Sequence, residues 1–261
     1  MRKFSFASAA ALAVTLAGPA LAADLPMKSE APYVEPRFSW TSCYVGGHVG
    51  GGRGSKAMTD PVLLVQDSLI APGTTTGVTT VNTSPTGAVI GGEIGCDYQL
   101  SSNVVIGIEG TASGSTMRGS QTVSLHDSPP DVALVQANNN FLASVTGRIG
   151  YAFDNVLLYG RGGLAVAGDK YNVSGGSVAG SGTPFNFQGL DNRVGYVVGG
   201  GLDWAFTRHW SMNVEYDYYQ FGHGNILMTD GISGLTGVVD VKQSVQVVKV
   251  GFNFHIWGSG W

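Results

Sequence analysis

Two-residue alternation restricts this chain more than any other feature. In WSMNVEYDYY, residues 210–219, the side chains of Trp210, Met212, Val214, Tyr216 and Tyr218 fall on one face of an extended strand. Ser211, Asn213, Glu215, Asp217 and Tyr219 fall on the other. Residues 194–206 repeat the pattern, with Tyr196, Val198, Leu202, Trp204 and Phe206 opposite Arg193, Asp203 and several glycines. Segments 42–52, 87–99, 104–114, 140–153, 156–167 and 244–254 alternate in the same way. Each pairs an apolar face with a polar face that carries charge in most segments, so each predicts a strand with dissimilar surroundings on its two sides.

These eight segments are joined by connections that alternate in length. Leu100 to Asn103, Asp154-Asn155 and Thr207 to His209 are tight turns, whereas 53–86, 115–139, 168–192 and 222–241 are expected to be long loops rich in Gly, Ser, Thr and Asn. An even number of strands with long loops at one end is the pattern of a transmembrane barrel. A secreted β-sandwich is the competing fold, but it has no reason to gather its long loops at one end. The fold expected is therefore all-β: a closed antiparallel eight-stranded transmembrane β-barrel with short periplasmic turns and long extracellular loops. Open sheet edges are excluded in lipid because unpaired backbone groups there cost several kcal/mol, about as much as burying any bare polar group.

Composition agrees. Gly is 40 of 261 residues and charged residues are 12%, against roughly 7% and ~25% in ordinary domains, while hydrophobic content is 43%. Arg2 and Lys3, the apolar run Ala9 to Leu16 and the small-x-small sequence Ala20-Leu21-Ala22 predict a cleaved signal peptide over 1–22. After it, no stretch approaches the ~18 apolar residues of a membrane helix. Residues 23–39, with Pro26, Pro32 and Pro36, are expected to form an exposed leader, and 40–261 the barrel. Losing Arg2 and Lys3 takes the formal charge from −4 to −6, which argues against a nucleic-acid partner. The location expected is the outer membrane, with its lipid as the first partner.

Trp40 and Cys43-Tyr44-Val45-Gly46-Gly47, after a leader beginning Ala-Asp-Leu-Pro, resemble the start of the alphaproteobacterial outer-membrane immunogenic (surface antigen) proteins. GRIGYAFDNVLLYGRGGLAVA at 147–167 and VKVGFNF at 248–254 resemble later parts of the same family, whose barrel is related to that of outer membrane protein A. The resemblance implies an abundant surface protein, often described as porin-like. It also implies assembly by periplasmic chaperones and the barrel assembly machinery, which reads an aromatic residue in the last strand. Phe254 fits that role, although HIWGSGW follows it.

The alternation aims Glu93, Glu109, Arg148, Arg161, Glu215 and Lys249 inward near mid-strand, an expected layer of three acids and three bases at one depth. The layer is either a salt-bridged plug or the lining of a small-solute pore; an eight-stranded interior is just wide enough for side chains, which favours the plug. Inward glycines such as Gly46, Gly95, Gly107, Gly195 and Gly199 leave room for it. Trp204, Trp210, Tyr216, Tyr218, Phe252 and Phe254 are expected as interfacial aromatics. If Gly52 sits opposite Gly87, constant register sets Cys43 opposite Cys96 on the outward face, neighbouring or disulfide-bonded in an oxidising envelope.

No metal set or cofactor is expected. His48, His126, His209, His223 and His255 show no HExxH or paired ligand spacing, with His126 and His223 assigned to outer loops. There is no GxxxxGK[ST] and no GxSxG, and no Ser, His and acid are recognisably brought together in sequence. Leu63 to Ile70 is more apolar than a loop should be, and it either packs on its own stem or docks a partner. Three functions stay open: a structural barrel displaying its loops, a pore, and a lipid-modifying enzyme, with the first favoured and an enzyme not expected. The sequence names no loop partner.

Overall fold

The structure, a computed structural model, describes residues 38–59, 80–124, 132–175, 184–232, 234 and 236–256. The expected signal peptide, most of the leader, Leu63–Ile70 and His126 lie outside them. The strands are β1 (Ser42–Thr59), β2 (Thr80–Thr83), β3 (Thr86–Gln99), β4 (Val104–Ser124), β5 (Val132–Phe153), β6 (Val156–Gly175), β7 (Phe185–Ala205), β8 (Trp210–Asp230) and β9 (Thr236–His255). All neighbours are antiparallel, and β1 pairs with both β3 and β9, so the sheet closes on itself. β2 and β3 lie end to end along β1, with Lys56 opposite Thr83 and Arg53 opposite Thr86. They form one strand broken at Ser84-Pro85, because proline has no N–H for the ladder; the ring is thus eight strands wide.

The turn end is tightened by local chemistry. Asn103 and Asp154 take up left-handed backbone angles (φ 61° and 53°), a conformation that short polar side chains tolerate. Thr207 Oγ1 accepts from the Trp210 N–H at 3.0 Å, closing the third turn. Phe38, expected in the exposed leader, is instead tied to the barrel: its ring lies 4.9 Å from that of Trp40 and packs against a buried cluster of Trp40, Val105, Ala152, Leu157 and Ala205.

The long loops expected at 53–86, 115–139, 168–192 and 222–241 are corrected. The strands run on into these segments by up to ten residues, and their two faces exchange character. In the lower half, outward positions are apolar, for instance Val145, Ile149, Leu158 and Leu164, and inward ones are largely polar or charged. In the upper half, inward Ala133, Val135, Tyr171, Val173, Phe185, Phe187, Ile226 and Met228 form an apolar core. Most outward positions there are polar, such as Gln136, Asn138, Lys170 and Asn172, although Leu134, Leu190, Leu227 and Val238 also point outward.

Register shifts sit at the changeover on β4, between Gly114 and Met117, and at bulges on two other strands. The register slips between Asn139 and Phe141 on β5 and between Gln220 and Gly222 on β8. Each inserts one residue and so moves every later side chain to the opposite face. Gly222, at φ 66°, is in the left-handed region that suits a glycine bulge.

Candidate functional site

The most concentrated chemistry lies inside the lower half. Large charged side chains there project over glycines on neighbouring strands: Arg148 is paired with Gly107, Arg161 with Gly199, Lys249 with Gly50 and Glu215 with Gly201. A Cβ on Gly107 would collide with Asp97 Oδ1, and one on Gly199 with Asp217 Oδ1. Small residues on one strand make space for long ones on the next, and the interior fills.

Arg161 is the centre of the network. Its Nε and Nη2 donate to the two oxygens of Asp217 at 2.9 and 3.0 Å, a bidentate fork. Its Nη1 lies 2.9 Å from Glu215 Oε1 and also donates to Glu109 Oε1. Lys249 Nζ lies 2.7 Å from Glu215 Oε1 and 3.3 Å from Asp217 Oδ2. Arg148 bridges the far side, 3.1 Å from Glu109 and 3.0 Å from Asp97. Tyr44 donates to Glu109 at 2.5 Å and Tyr159 to Glu215 at 2.7 Å, and the Arg148 guanidinium lies 4.3 Å from the Tyr159 ring centroid. Every one of these side chains is buried.

Five of the six charges expected to share a layer, Glu109, Arg148, Arg161, Glu215 and Lys249, therefore meet in one network. Glu93 does not make an ion pair with these bases among the described residues. It stands 3.0 Å from His48 Nδ1 and accepts from Asn213 Nδ2 at 2.7 Å. The three-to-three balance is also corrected, because Asp97, Asp203 and Asp217 join the carboxylates. Their inward parity is visible in the sequence, but Asp97 and Asp217 meet Arg148 and Arg161 through cross-strand register, across Gly107 and Gly199.

His48 makes a second contact that sequence reasoning missed: its Nε2 lies 2.7 Å from Ser113 Oγ. An ionised Glu93 can only accept, so Nδ1–H donates to it and Nε2 accepts from the serine hydroxyl. Ser, His and acid are thus in line, contrary to the sequence expectation. His48, Glu93 and Ser113 lie on three consecutive strands of the sheet (β1, β3 and β4), a relation that register reveals and motif spacing does not.

Above the network a buried apolar layer (Val89, Met117, Leu142, Val197, Tyr219, Phe221, Val245 and Val247) crosses the interior. Above that, Lys56 Nζ donates to Asp169 at 2.6 Å beside Tyr171, and Arg193 pairs with Asp191. The upper apolar core completes the stack.

Gly52 is opposite Gly87 on the inner face, and on the outer face Cys43 is opposite Cys96, to which it is disulfide-bonded. Trp204, Trp210, Phe252 and Phe254 point outward, with Trp210 and Phe254 rings 5.2 Å apart near the turn end. Tyr216 and Tyr218 point outward higher up, their hydroxyls donating to Gln246 and Gln220. His223 is on β8 rather than a loop and stands 3.0 Å from Asp240 on β9. β9 ends at His255, one residue beyond the expected Phe254, and the Ile256 N–H donates to Cys43 O. Among the described residues no three His, Cys, Asp or Glu side chains converge to hold a metal ion.

Residues 8–254 match the profile of the outer membrane protein beta-barrel domain. The 31 kDa outer-membrane immunogenic protein of Brucella melitensis is 26% identical over 249 residues, covering 94% of this chain and 97% of that protein. Among solved structures, the outer membrane protein OprG of Pseudomonas aeruginosa aligns with a TM-score of 0.43 at 14% identity, over 84% of this chain and 98% of that one. The outer membrane protease OmpT of Escherichia coli aligns with a TM-score of 0.46 at 11% identity, over the same shares.

Proposed function

This chain belongs to the outer membrane protein β-barrel family, and on that premise we propose that it is a closed, surface-displaying barrel whose lumen is a structural plug. The observation behind this reading is the unbroken stack of buried side chains along the interior, from Trp40 through the Arg161 network to Phe187. Interlocked charges of this kind fill space and fix strand register; they leave eight strands no free water path. The contacts made outside the cell then fall to the segments leaving the strand tops, which suits a relative named for immunogenicity. We assign recognition by periplasmic chaperones and the barrel assembly machinery to the outward aromatics of the closing strand, Phe252 and Phe254. The chain refolded into a planar bilayer is expected to be electrically silent while its circular dichroism is β-rich. Stable stepwise currents would replace the plug with a pore.

One observation favours a second reading, a hydrolase. Ser113, His48 and Glu93 have the order of a nucleophile, base and orienting acid. Ser113, however, faces a lumen packed above and below it, so we assign the chain to positioning β1, β3 and β4. A fluorophosphonate probe is expected to leave the folded barrel unlabelled. Labelling that disappears in Ser113→Ala would make the protein an enzyme.

A further inference from the structure

Arg53, Thr86, Arg118, Asn138 and Lys170 are successive cross-strand partners on β1, β3, β4, β5 and β6. All five point outward, and they lie just above the apolar band. Among the described residues the outward positions of β1–β6 carry no carboxylate, and Arg53, Arg118 and Lys170 make no ion pair. The carboxylates of these strands face the lumen, so a chain with a net charge of −4 presents a basic row at the edge of the membrane.

Of the hollows on this face, two lie one above the other. The upper, of about 500 Å³, is polar and lined by Arg118, Ser120, Gln136, Asn138, Asn140 and Lys170. The lower, of about 570 Å³, lies within the apolar band. Its floor is Gly92, Gly110, Ala112 and Ala143, and Ile94, Val145, Leu164 and Val166 wall it. Gly114, Phe141 and Gly168, successive cross-strand partners on β4, β5 and β6, lie between the two hollows.

We propose that this face binds one phosphorylated, acylated sugar of the outer leaflet, with an acyl chain in the lower groove and its headgroup in the upper hollow. Arg118 and Lys170 are two strands apart, roughly 9–10 Å at the usual strand spacing. Long side chains at that backbone separation reach anionic groups on either side of a sugar. Guanidinium and ammonium groups take the phosphates, and the amides of Gln136, Asn138 and Asn140 between them match sugar hydroxyls as donors and acceptors. Missing side chains on the groove floor let a straight hydrocarbon chain lie against the backbone, recovering dispersion contacts that a bare hollow lacks. The inference rests on the outer-membrane location and is independent of whether the lumen is plugged.

The test is native mass spectrometry of the refolded chain in detergent, titrated with diphosphorylated lipid A and, separately, with phosphatidylglycerol. One lipid A per barrel is expected, retained at least tenfold better than phosphatidylglycerol. Arg118→Gln/Lys170→Gln is expected to reduce that retention at least tenfold, and Lys242→Gln, on β9 away from the hollow, to leave it unchanged. Ala112→Trp, which fills the groove on the lipid side, is expected to weaken retention with both cations in place. Equal retention of the two lipids overturns the proposal, as does wild-type retention by a folded double variant. Should the double variant not fold, judged by its mobility on unheated gels, undiminished retention by Ala112→Trp overturns it instead.

Discussion

Replacing Arg161 with Met is expected to lower the stability of the folded barrel by about 3–5 kcal/mol, the usual cost of stripping one partner from a buried ion pair. Arg161 holds Asp217 through two parallel bonds and reaches both Glu215 and Glu109. Without it three carboxylates face one another across a dry lumen, with Lys249 the nearest cation to two of them. Met fills similar space, so the loss reflects charge rather than a cavity. Arg161→Lys keeps the charge without the planar fork and should fall between the two. Urea titration of the protein in bilayers, followed by tryptophan fluorescence, would measure these differences. A wild-type midpoint for Arg161→Met would mean that water already solvates the network, which would argue against a plug.

Leu164→Arg is expected to cost about 2–4 kcal/mol, the range for a cation on the lipid face at the bilayer midplane. Leu164 is outward and 68% exposed in the protein alone, so lipid is what covers it. Asn172→Arg, farther along the same face of β6 and above the apolar band, is expected to cost no more than about 1 kcal/mol, the worth of the bond that Asn172 Nδ2 donates to Asn186 Oδ1. The two substitutions put the same side chain on one strand and differ only in height. Equal costs would show that the apolar band extends farther up than the change in surface polarity implies.

The lower barrel is legible in the sequence because one rule holds over most of it: apolar side chains outward, and polar ones inward except in the apolar cluster at the turn end. Strands 104–114 and 210–219, the tight turns, and the facing of Cys43 and Cys96 all follow from that parity and a constant register. The upper barrel was misread as loop for two physical reasons. Its alternation continues with the opposite sense, as in VALVQANNN, where Ala133, Val135 and Ala137 are the buried set. The bulges at Asn139–Phe141 and Gln220–Gly222 also shift the phase where the sense changes, so the period seems to stop. The charge network was half legible. Parity gave the inward direction of its members, but partners such as Arg148 with Asp97, or His48 with Ser113, depend on register across several strands, which no local pattern encodes.

The upper barrel also sets a height. β1 continues about eight residues beyond its last apolar outward positions, from Gly51 to Thr59. At ~3.3 Å per residue and a tilt of about 40°, this lifts the strand end roughly 20 Å above the band. The end of β1 at Thr59 therefore stands on a stiff pedestal, clear of the lipid headgroups. A peptide grafted between Ser124 and Val132 would be held at that elevation, within reach of a molecule as bulky as an antibody that the surrounding sugars would otherwise keep at a distance.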